Sequence, residues 1–149
     1  MTDILTREAE ESDLPIIEKL MTELIEVLDN TEDINIRQVV NNCKNLLKDE
    51  TSYFLVAEIE GAVIGFINFT IRQTILHQNL SGLIDELVVD KEFRGKGAGN
   101  QLLVAAIRKC RRLGCCEVEV STEKINTKAR EFYKKCGFEE RGLLFELDL

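Results

Sequence analysis

A glycine-rich, basic segment in the second half of the chain has the composition of a phosphate-binding loop. Residues 92–103 read EFRGKGAGNQLL, with a glycine at every second position from 95 to 99. Glycine lets the backbone approach an oxyanion closely, and the first N–H groups of a helix carry partial positive charge. Arg94 and Lys96 add full charges beside them. The segment therefore predicts a site for phosphate or diphosphate.

This segment does not match the common nucleotide-binding signatures. The dinucleotide signature GxGxxG needs a glycine at position 100, where the chain has Asn100. The P-loop signature GxxxxGK followed by serine or threonine is also absent. A flexible turn ahead of a helix is the alternative interpretation.

Composition and charge limit the classes of protein to consider. With 149 residues and 44% hydrophobic composition, the chain suits one globular domain over residues 1–149. Its apolar runs are too short to span a bilayer, so no membrane partner is expected. Residues 1–33 hold eleven acids and two bases, whereas residues 91–112 hold seven bases and one acid. Because the overall net charge is −8, no nucleic-acid partner is predicted.

The cysteines and the single histidine bear on compartment and metal binding. The chain has five cysteines, and its acidic N-terminus does not resemble an export signal. An odd cysteine count without such a signal predicts reduced thiols and a cytoplasmic location. His77 is the one histidine and falls in a predicted loop, so no metal site is expected.

Hydrophobic periodicity predicts a mixed α/β fold with helices on both faces of the sheet. The order is strand, two helices, three strands, helix, strand, helix, and one or two closing strands. Predicted strands cover residues 3–7, 53–59, 62–71, 83–89, 116–121 and about 138–147. Helices are predicted after a cap at Ser12 or Asp13, over about 34–48, after the glycines, and over 127–136.

Two ordered motifs resemble the GNAT superfamily of acyl-CoA-dependent N-acyltransferases. IDELVVDKEFRGKGAGNQLL is similar to the central motif, with Arg94, Gly97 and Gly99 in its Arg/Gln-x-x-Gly-x-Gly/Ala pattern. NTKAREFYKKCGFEE resembles the family's Asn-x-x-Ala-x-x-Phe-Tyr-x-x-x-Gly-Phe stretch. The predicted element order resembles the family along nearly the whole chain. The resemblance implies a mostly antiparallel sheet of six to seven strands, with acetyl-CoA as co-substrate.

The resemblance also implies where the coenzyme binds. The loop after the fourth strand would wrap the diphosphate, and the pantetheine arm would lie along that strand as an added strand does. The amide of Leu87 or a neighbour would then polarise the thioester carbonyl. Asn126 is a helix N-cap candidate that contacts the arm in family members. The implied coenzyme-binding positions are Leu87, Val88, Val89, Arg94, Gly95, Lys96, Gly97, Ala98, Gly99, Asn100 and Asn126.

The transfer of an acetyl group to an amine needs a base for the amine and an acid for the thiolate. Tyr133 stands where the family often has a tyrosine general acid, although its place on an apolar helix stripe also suits simple packing. For the base we favour Glu86. Consecutive Asp85 and Glu86 point to opposite faces of a strand unless a bulge intervenes. The other candidates are Glu119, with Glu117 on its side by alternation, and His77 if its loop lies beside the acceptor cleft.

In this family the two N-terminal helices and their connection usually wall the acceptor side, and here they are the acidic end of the chain. The acidic wall predicts a cationic primary amine as acceptor, on a small molecule or a peptide, and the resemblance implies direct transfer of the acetyl group to it in a ternary complex. Exposed apolar residues on the closing strands could support a homodimer. The alternative function is a catalytically silent coenzyme-A-binding sensor or interaction module of the same fold. A nucleotide-binding protein unrelated to coenzyme A is weakened by the missing signatures.

Overall fold

The computed structural model describes residues 3–28 and 34–149, and these contain a five-stranded sheet. In chain order the elements are β1 (Ile4–Glu8), α1 (Leu14–Val27), α2 (Ile36–Lys48), β2 (Ser52–Ile59), β3 (Ala62–Arg72), β4 (Leu80–Val89), α3 (Ala98–Arg112), β5 (Cys115–Val120) and α4 (Thr127–Lys135). Contacts divide the chain into two units, Met1–Glu119 and Val120–Leu149. Three residues of the acidic N-terminal segment, Asp29, Glu32 and Asp33, lie outside the described residues.

The strands lie side by side in the order of the sequence, β1-β2-β3-β4-β5. The first three neighbouring pairs are antiparallel, with Glu8 opposite Leu55 and Ile67 opposite Leu87. A tight turn joins β2 to β3 at Glu60 and Gly61, both of which have positive φ. The prediction of a mixed α/β fold with a mostly antiparallel sheet is therefore confirmed.

Helices cover both faces of this sheet within the first unit. On one face, α1 and α2 pack on β2, β3 and β4 around Ile17, Phe66 and Val88. On the other face α3 approaches so closely that a Cβ built on Gly65 would lie 3.4 Å from a methyl carbon of Leu102. We call the first surface the α1/α2 face and the second the α3 face. Because side chains alternate along a strand, these contacts assign every other strand residue to one face.

The predicted strand over 138–147 is not formed. No strand is assigned over residues 138–149 of the second unit, so the described sheet has five strands rather than six or seven. Leu143, Leu144, Phe145, Leu147 and Leu149 all expose large apolar side chains. Alternating apolar residues predict a strand, but a strand exists only where another backbone accepts and donates its hydrogen bonds.

Asp13 also differs from its predicted role. Its carboxylate gives α1 no side-chain cap. Instead it accepts hydrogen bonds from the Glu10 amide at 2.8 Å and from both terminal nitrogens of Arg7 at 2.8 and 2.9 Å. Arg7 also donates to Glu58 of β2 at 3.1 Å. The network joins β1, the start of α1 and β2, and it holds the pKa of Asp13 below its usual range.

Of the described helices, none is both long and apolar enough to cross a membrane.

Candidate functional site

The N-terminus of α3 is open to an external anion. Its N-cap is Gly97, which has φ 91° and supplies no side-chain hydrogen bond. By contrast, Asn35 caps α2 and Asn126 caps α4, each accepting a hydrogen bond from a first-turn amide. The first amides of a helix have no partner within it and carry partial positive charge. At α3, as at α1, the N-cap side chain leaves this position unfilled, and at α3 the cap is a glycine beside two basic residues, so a bound anion can take that place.

The loop before α3 presents backbone and basic side chains together. Gly95 also has positive φ, and a Cβ added at Gly95 or Gly97 would meet nothing within 4 Å. These glycines are therefore required by backbone conformation, and the space in front of them is open. Arg94 Nε donates to the Val89 carbonyl at 3.2 Å, and Lys96 Nζ lies 5.1 Å from the centre of the Phe93 ring. We call residues 94–99 the phosphate loop, and its chemistry fits a coenzyme A diphosphate.

The end of β4 leads directly into this loop. Contacts between β5 and the beginning of β4 include Ser81 Oγ to Glu117 at 3.5 Å. Cys116 Sγ lies 3.9 Å from the Asn79 carbonyl in the same region. Since β5 has six residues and β4 has ten, β5 cannot pair with all of β4. Part of β4 therefore has no β5 residue opposite it, and an unpaired strand edge is where an extended, amide-containing ligand can bind.

A bulge in β4 brings two carboxylates to one face. Asn68 of β3 pairs with Glu86 of β4, but the next residue of β3, Phe69, pairs with Ile84. Asp85 is therefore the extra residue of β4. Two residues of the bulged strand then oppose one of the partner, and alternation shifts by one position. Asp85 accepts a hydrogen bond from the Thr70 hydroxyl at 3.0 Å. Both acids thus project to the α1/α2 face. The sequence predicted opposite faces for Asp85 and Glu86 unless a bulge intervened, and the bulge is present.

The electrostatic setting of this pair suits proton transfer. Partial burial raises the pKa of Glu86, and the neighbouring charge of Asp85 raises it further. Removal from solvent also raises the pKa of Asp85, while the Thr70 hydroxyl and Arg72 oppose that shift. On the helix side, burial and the charge of Glu86 raise the pKa of the Cys43 thiol of α2. A carboxylate with a raised pKa is a better base once it is ionised, as general base catalysis requires.

The carboxylates of β5 lie on the same face. A Cβ on Gly82 would contact Cys110 of α3 and lie 3.6 Å from Val118, so Val118 is on the α3 face. By alternation Glu117 and Glu119 point to the α1/α2 face. We call the set Asp85, Glu86, Glu117 and Glu119 the carboxylate face.

Basic groups bind the outer half of the carboxylate face. Arg72 of β3 donates to Glu119 at 2.9 Å, and His77 Nε2 lies 2.8 Å from Glu117. The β3–β4 loop therefore reaches this surface, which was the condition for a role of His77. Sequence reasoning missed Arg72 and Thr70. Both lie an even number of residues from Phe66 and Asn68 along β3, and this spacing could have placed them on the same face.

Tyr133 and Asn126 belong to the second unit. Tyr133 lies on α4 with its ring centroid 5.2 Å from that of Phe132 and 5.6 Å from that of Phe138. Burial, and to a smaller extent the charge of Cys136, raises its pKa, so the phenol keeps its proton at neutral pH. Asn126 caps α4 by accepting from the Ala129 amide at 3.1 Å, as the sequence predicted. Its side-chain amino group remains the part that could donate to a ligand.

The acids of the N-terminal segment are engaged more than the sequence suggested. Asp13 is bound to Arg7, Glu8 lies 3.8 Å from Lys109 of α3, and Glu23 lies 3.9 Å from Lys19. Oε2 of Glu23 is buried without a hydrogen-bond partner among the described residues. Three of the eight described acids of this segment thus have a basic partner within 4 Å.

A sequence model for the acetyltransferase (GNAT) family matches residues 16–138. An uncharacterised N-acetyltransferase of Methanocaldococcus jannaschii is 34% identical over 102 residues, which are 68% of this chain and 45% of that protein. The aminoalkylphosphonate N-acetyltransferase of Salmonella typhimurium is 34% identical over 101 residues, 68% of this chain and 65% of that protein. This chain thus spans less than two thirds of either relative.

A solved structure shows the same fold. An aminoglycoside N-acetyltransferase in complex with CoA has a TM-score of 0.86 with 20% sequence identity, covering 99% of this chain and 96% of that one. At this identity the similarity concerns the fold. Together with the sequence model, which matches most of the chain, it establishes the family. The chain is a member of the GNAT acetyltransferase family.

Proposed function

We propose that this chain is an acetyl-CoA-dependent N-acetyltransferase that transfers the acetyl group directly to a primary amine carrying additional positive charge. The observation that carries the proposal is the construction of β4. Its bulge presents Asp85 and Glu86, and its end continues into the phosphate loop. One strand thereby offers a base and an anion site on either side of residues 87–89. Family membership supplies the type of reaction that such a strand serves.

The chain's own groups divide the chemistry among them. Acetyl-CoA, when bound, supplies an acetyl group on a thioester and leaves as a thiol. The amides of the phosphate loop and the charges of Arg94 and Lys96 hold its diphosphate. The amide of Leu87 or a neighbour donates to the carbonyl oxygen as negative charge develops there. A base is needed because an alkyl ammonium has a pKa of about 10 and attacks only after losing a proton.

Glu86 is the proposed base, acting directly or through a water. Its raised pKa places proton uptake closer to neutral pH than that of an exposed glutamate. Asp85 shares the face and strengthens the attraction for a cationic amine. Glu117 and Glu119 extend the negative surface, partly neutralised by Arg72. The carboxylate face therefore favours acceptors with a second positive group and disfavours acceptors with an anionic group.

A matched pair of acceptors tests the proposal. 1,4-Diaminobutane and 4-aminobutyrate share a chain length and a primary amine but differ in the charge of the other end. We expect thiol release from acetyl-CoA with the diamine and a kcat/KM about tenfold or more above that of the amino acid, corresponding to ~1.4 kcal/mol of differential attraction. A preference for the amino acid would contradict the acceptor class. Coenzyme A binding without thiol release for any amine would indicate a sensor instead.

Tyr133 is the proposed acid for the departing thiolate, on the strength of its motif and its protonated state. Tyr133→Phe removes only the hydroxyl, so we expect kcat to fall about 10- to 100-fold with little change in the coenzyme KM. The chain's other tyrosine, Tyr53, stacks on Phe69 at a centroid distance of 5.4 Å and provides the control. Tyr53→Phe should leave kcat within about twofold. Equal effects of the two substitutions would remove Tyr133 from the mechanism.

A further inference from the structure

A mixed cluster of one imidazole and two carboxylates lies at the outer end of the carboxylate face. The Nε2 or Nδ1 atom of His77 and one oxygen each of Glu117 and Glu119 all lie within 4.8 Å of one another. All three side chains are partly exposed, with relative accessibilities of 29%, 33% and 40%. The sequence offered a single histidine and hence no reason to expect a metal site. The fold adds two glutamates from one side of β5.

We propose that His77, Glu117 and Glu119 form a binding site for a divalent transition-metal ion of the zinc class. Imidazole nitrogen with carboxylate oxygen is a donor set that zinc accepts, at bond lengths of about 2.0–2.2 Å. Ligand atoms around such an ion stand about 3.4 Å apart, so small side-chain rotations convert the present cluster into a chelate. Three protein ligands on an open surface leave a coordination position for water. The proposal does not depend on the transfer reaction.

The hydrogen bonds around His77 prepare it for this role. Its Nδ1 lies 2.6 Å from the Thr74 hydroxyl, which leaves Nε2 directed at Glu117. A metal-bound imidazole usually donates its other N–H to an oxygen, which fixes the tautomer and the ring orientation. A threonine hydroxyl can accept that proton as well as donate its own, so this contact survives when Nε2 exchanges Glu117 for an ion.

The two glutamates keep an oxygen for the ion. Arg72 binds Oε2 of Glu119, and His77 with Ser81 approaches Oε1 of Glu117. Each carboxylate has two oxygens, so the second oxygen of Glu119 can bind metal while Arg72 stays in place. β5 holds both residues on the same face at a spacing of two residues. The backbone of both carboxylates is therefore positioned by the sheet, and rotation of the three side chains brings their ligand atoms to metal-binding distance.

Titration of the tag-free, chelator-treated full chain with ZnCl₂ tests the site. Because thiols also bind zinc, the experiment uses a Cys115→Ser/Cys116→Ser background and a non-thiol reductant. We expect one equivalent of zinc by calorimetry. His77→Ala and Glu119→Gln should each weaken binding at least tenfold, and Thr74→Val about tenfold through loss of the outer hydrogen bond. Glu50→Gln, at an exposed acid outside the cluster, is the matched control and should bind as the background does.

Cobalt substitution identifies the ligands independently of affinity. With Co²⁺ we expect weak visible bands and no thiolate charge-transfer band, since the proposed donors are nitrogen and oxygen. Circular dichroism melts confirm that each variant is folded before it is titrated. Unchanged zinc affinity in folded His77→Ala and Glu119→Gln would overturn the proposal, as would a thiolate band or the absence of an equivalent bound to the background protein.

Discussion

The phosphate loop, which follows β4, and the carboxylate face, which β4 shares with β5, are built in opposite ways. As proposed, the phosphate loop binds through main-chain amides, and Gly95 and Gly97 adopt a positive φ that favours residues without a side chain. The carboxylate face works through side chains, and its backbone contributes a single irregularity at Asp85. The first is a local feature of a loop and a helix start. The second exists only when three strands lie side by side.

This difference predicts what each region tolerates. At the phosphate loop, replacement of a side chain such as Arg94 removes one exposed contact. A change of backbone conformation displaces all of the main-chain amides proposed to bind the diphosphate. At the carboxylate face, removal of one charge alters the chemistry while the sheet keeps its shape. Substitutions at the two regions should therefore separate cleanly into effects on coenzyme binding and effects on turnover.

The largest expected effect is that of Glu86→Gln on turnover. Loss of the base should lower kcat about 10²- to 10⁴-fold, the usual range for general base catalysis. The Kd for coenzyme A should stay within about twofold, because the glutamine keeps the size of the side chain. Steady-state kinetics with the diamine and calorimetry with coenzyme A measure the two quantities. A kcat loss below tenfold would assign the base elsewhere, with Glu119 the next candidate.

Asp85→Asn is the matched substitution at the bulge and has a smaller, pH-dependent effect. The charge of Asp85 raises the pKa of Glu86, so its removal should lower that pKa. The base then ionises at lower pH, and the acidic limb of the kcat/KM profile should move to lower pH. A profile of kcat/KM against pH for the two proteins checks this shift. A limb that stays in place would mean that Glu86 is not the group being titrated.

The sequence was most informative where structure is local. The glycine spacing, the helix after it and the Asn126 cap all depend on a few neighbouring residues, and each was predictable. The common face of Asp85 and Glu86 was not, because a bulge is a mismatch between two strands and leaves no pattern within one. The predicted strand over 138–147 failed for the same reason. Alternating apolar residues show that a segment can form a strand but not that a partner strand lies beside it. The carboxylate partner of His77, Glu117, likewise comes from β5, 40 residues further along the chain.

The smallest expected effects are on the free energy of unfolding, and they distinguish Glu86 from Asp13, a carboxylate that is hydrogen-bonded to Arg7. Arg7 lowers the pKa of Asp13, so its stabilisation is present above pH 3.8 and is lost as pH falls further. Asp13→Asn should therefore reduce the free energy of unfolding at pH 7 by about 1–2 kcal/mol and have little effect at low pH. Burial raises the pKa of Glu86, so the fold favours its neutral form, and ionisation costs stability as pH rises above 4.5.

Glu86→Gln should accordingly stabilise the protein slightly at pH 7 and lose that advantage below pH 4.5. Urea unfolding of both variants at several pH values measures the two trends. At neutral pH the changes in the free energy of unfolding should have opposite signs, because the fold favours the charged form of Asp13 and the neutral form of Glu86. Destabilisation by both substitutions would show that Glu86 is a structural group like Asp13.

Calorimetric titration of Gly97→Val with coenzyme A, beside Gly61→Val, tests the central claim most directly. Gly97 has φ 91° and Gly61 has φ 81°, and neither has an atom within 4 Å of an added Cβ, so the substitutions impose similar backbone strain. Only Gly97 precedes the amides proposed to hold the diphosphate. We predict a Kd for coenzyme A about 100-fold higher in Gly97→Val, equivalent to ~2.7 kcal/mol, and unchanged in Gly61→Val. Equal affinity in the two variants would contradict the assignment of the phosphate loop.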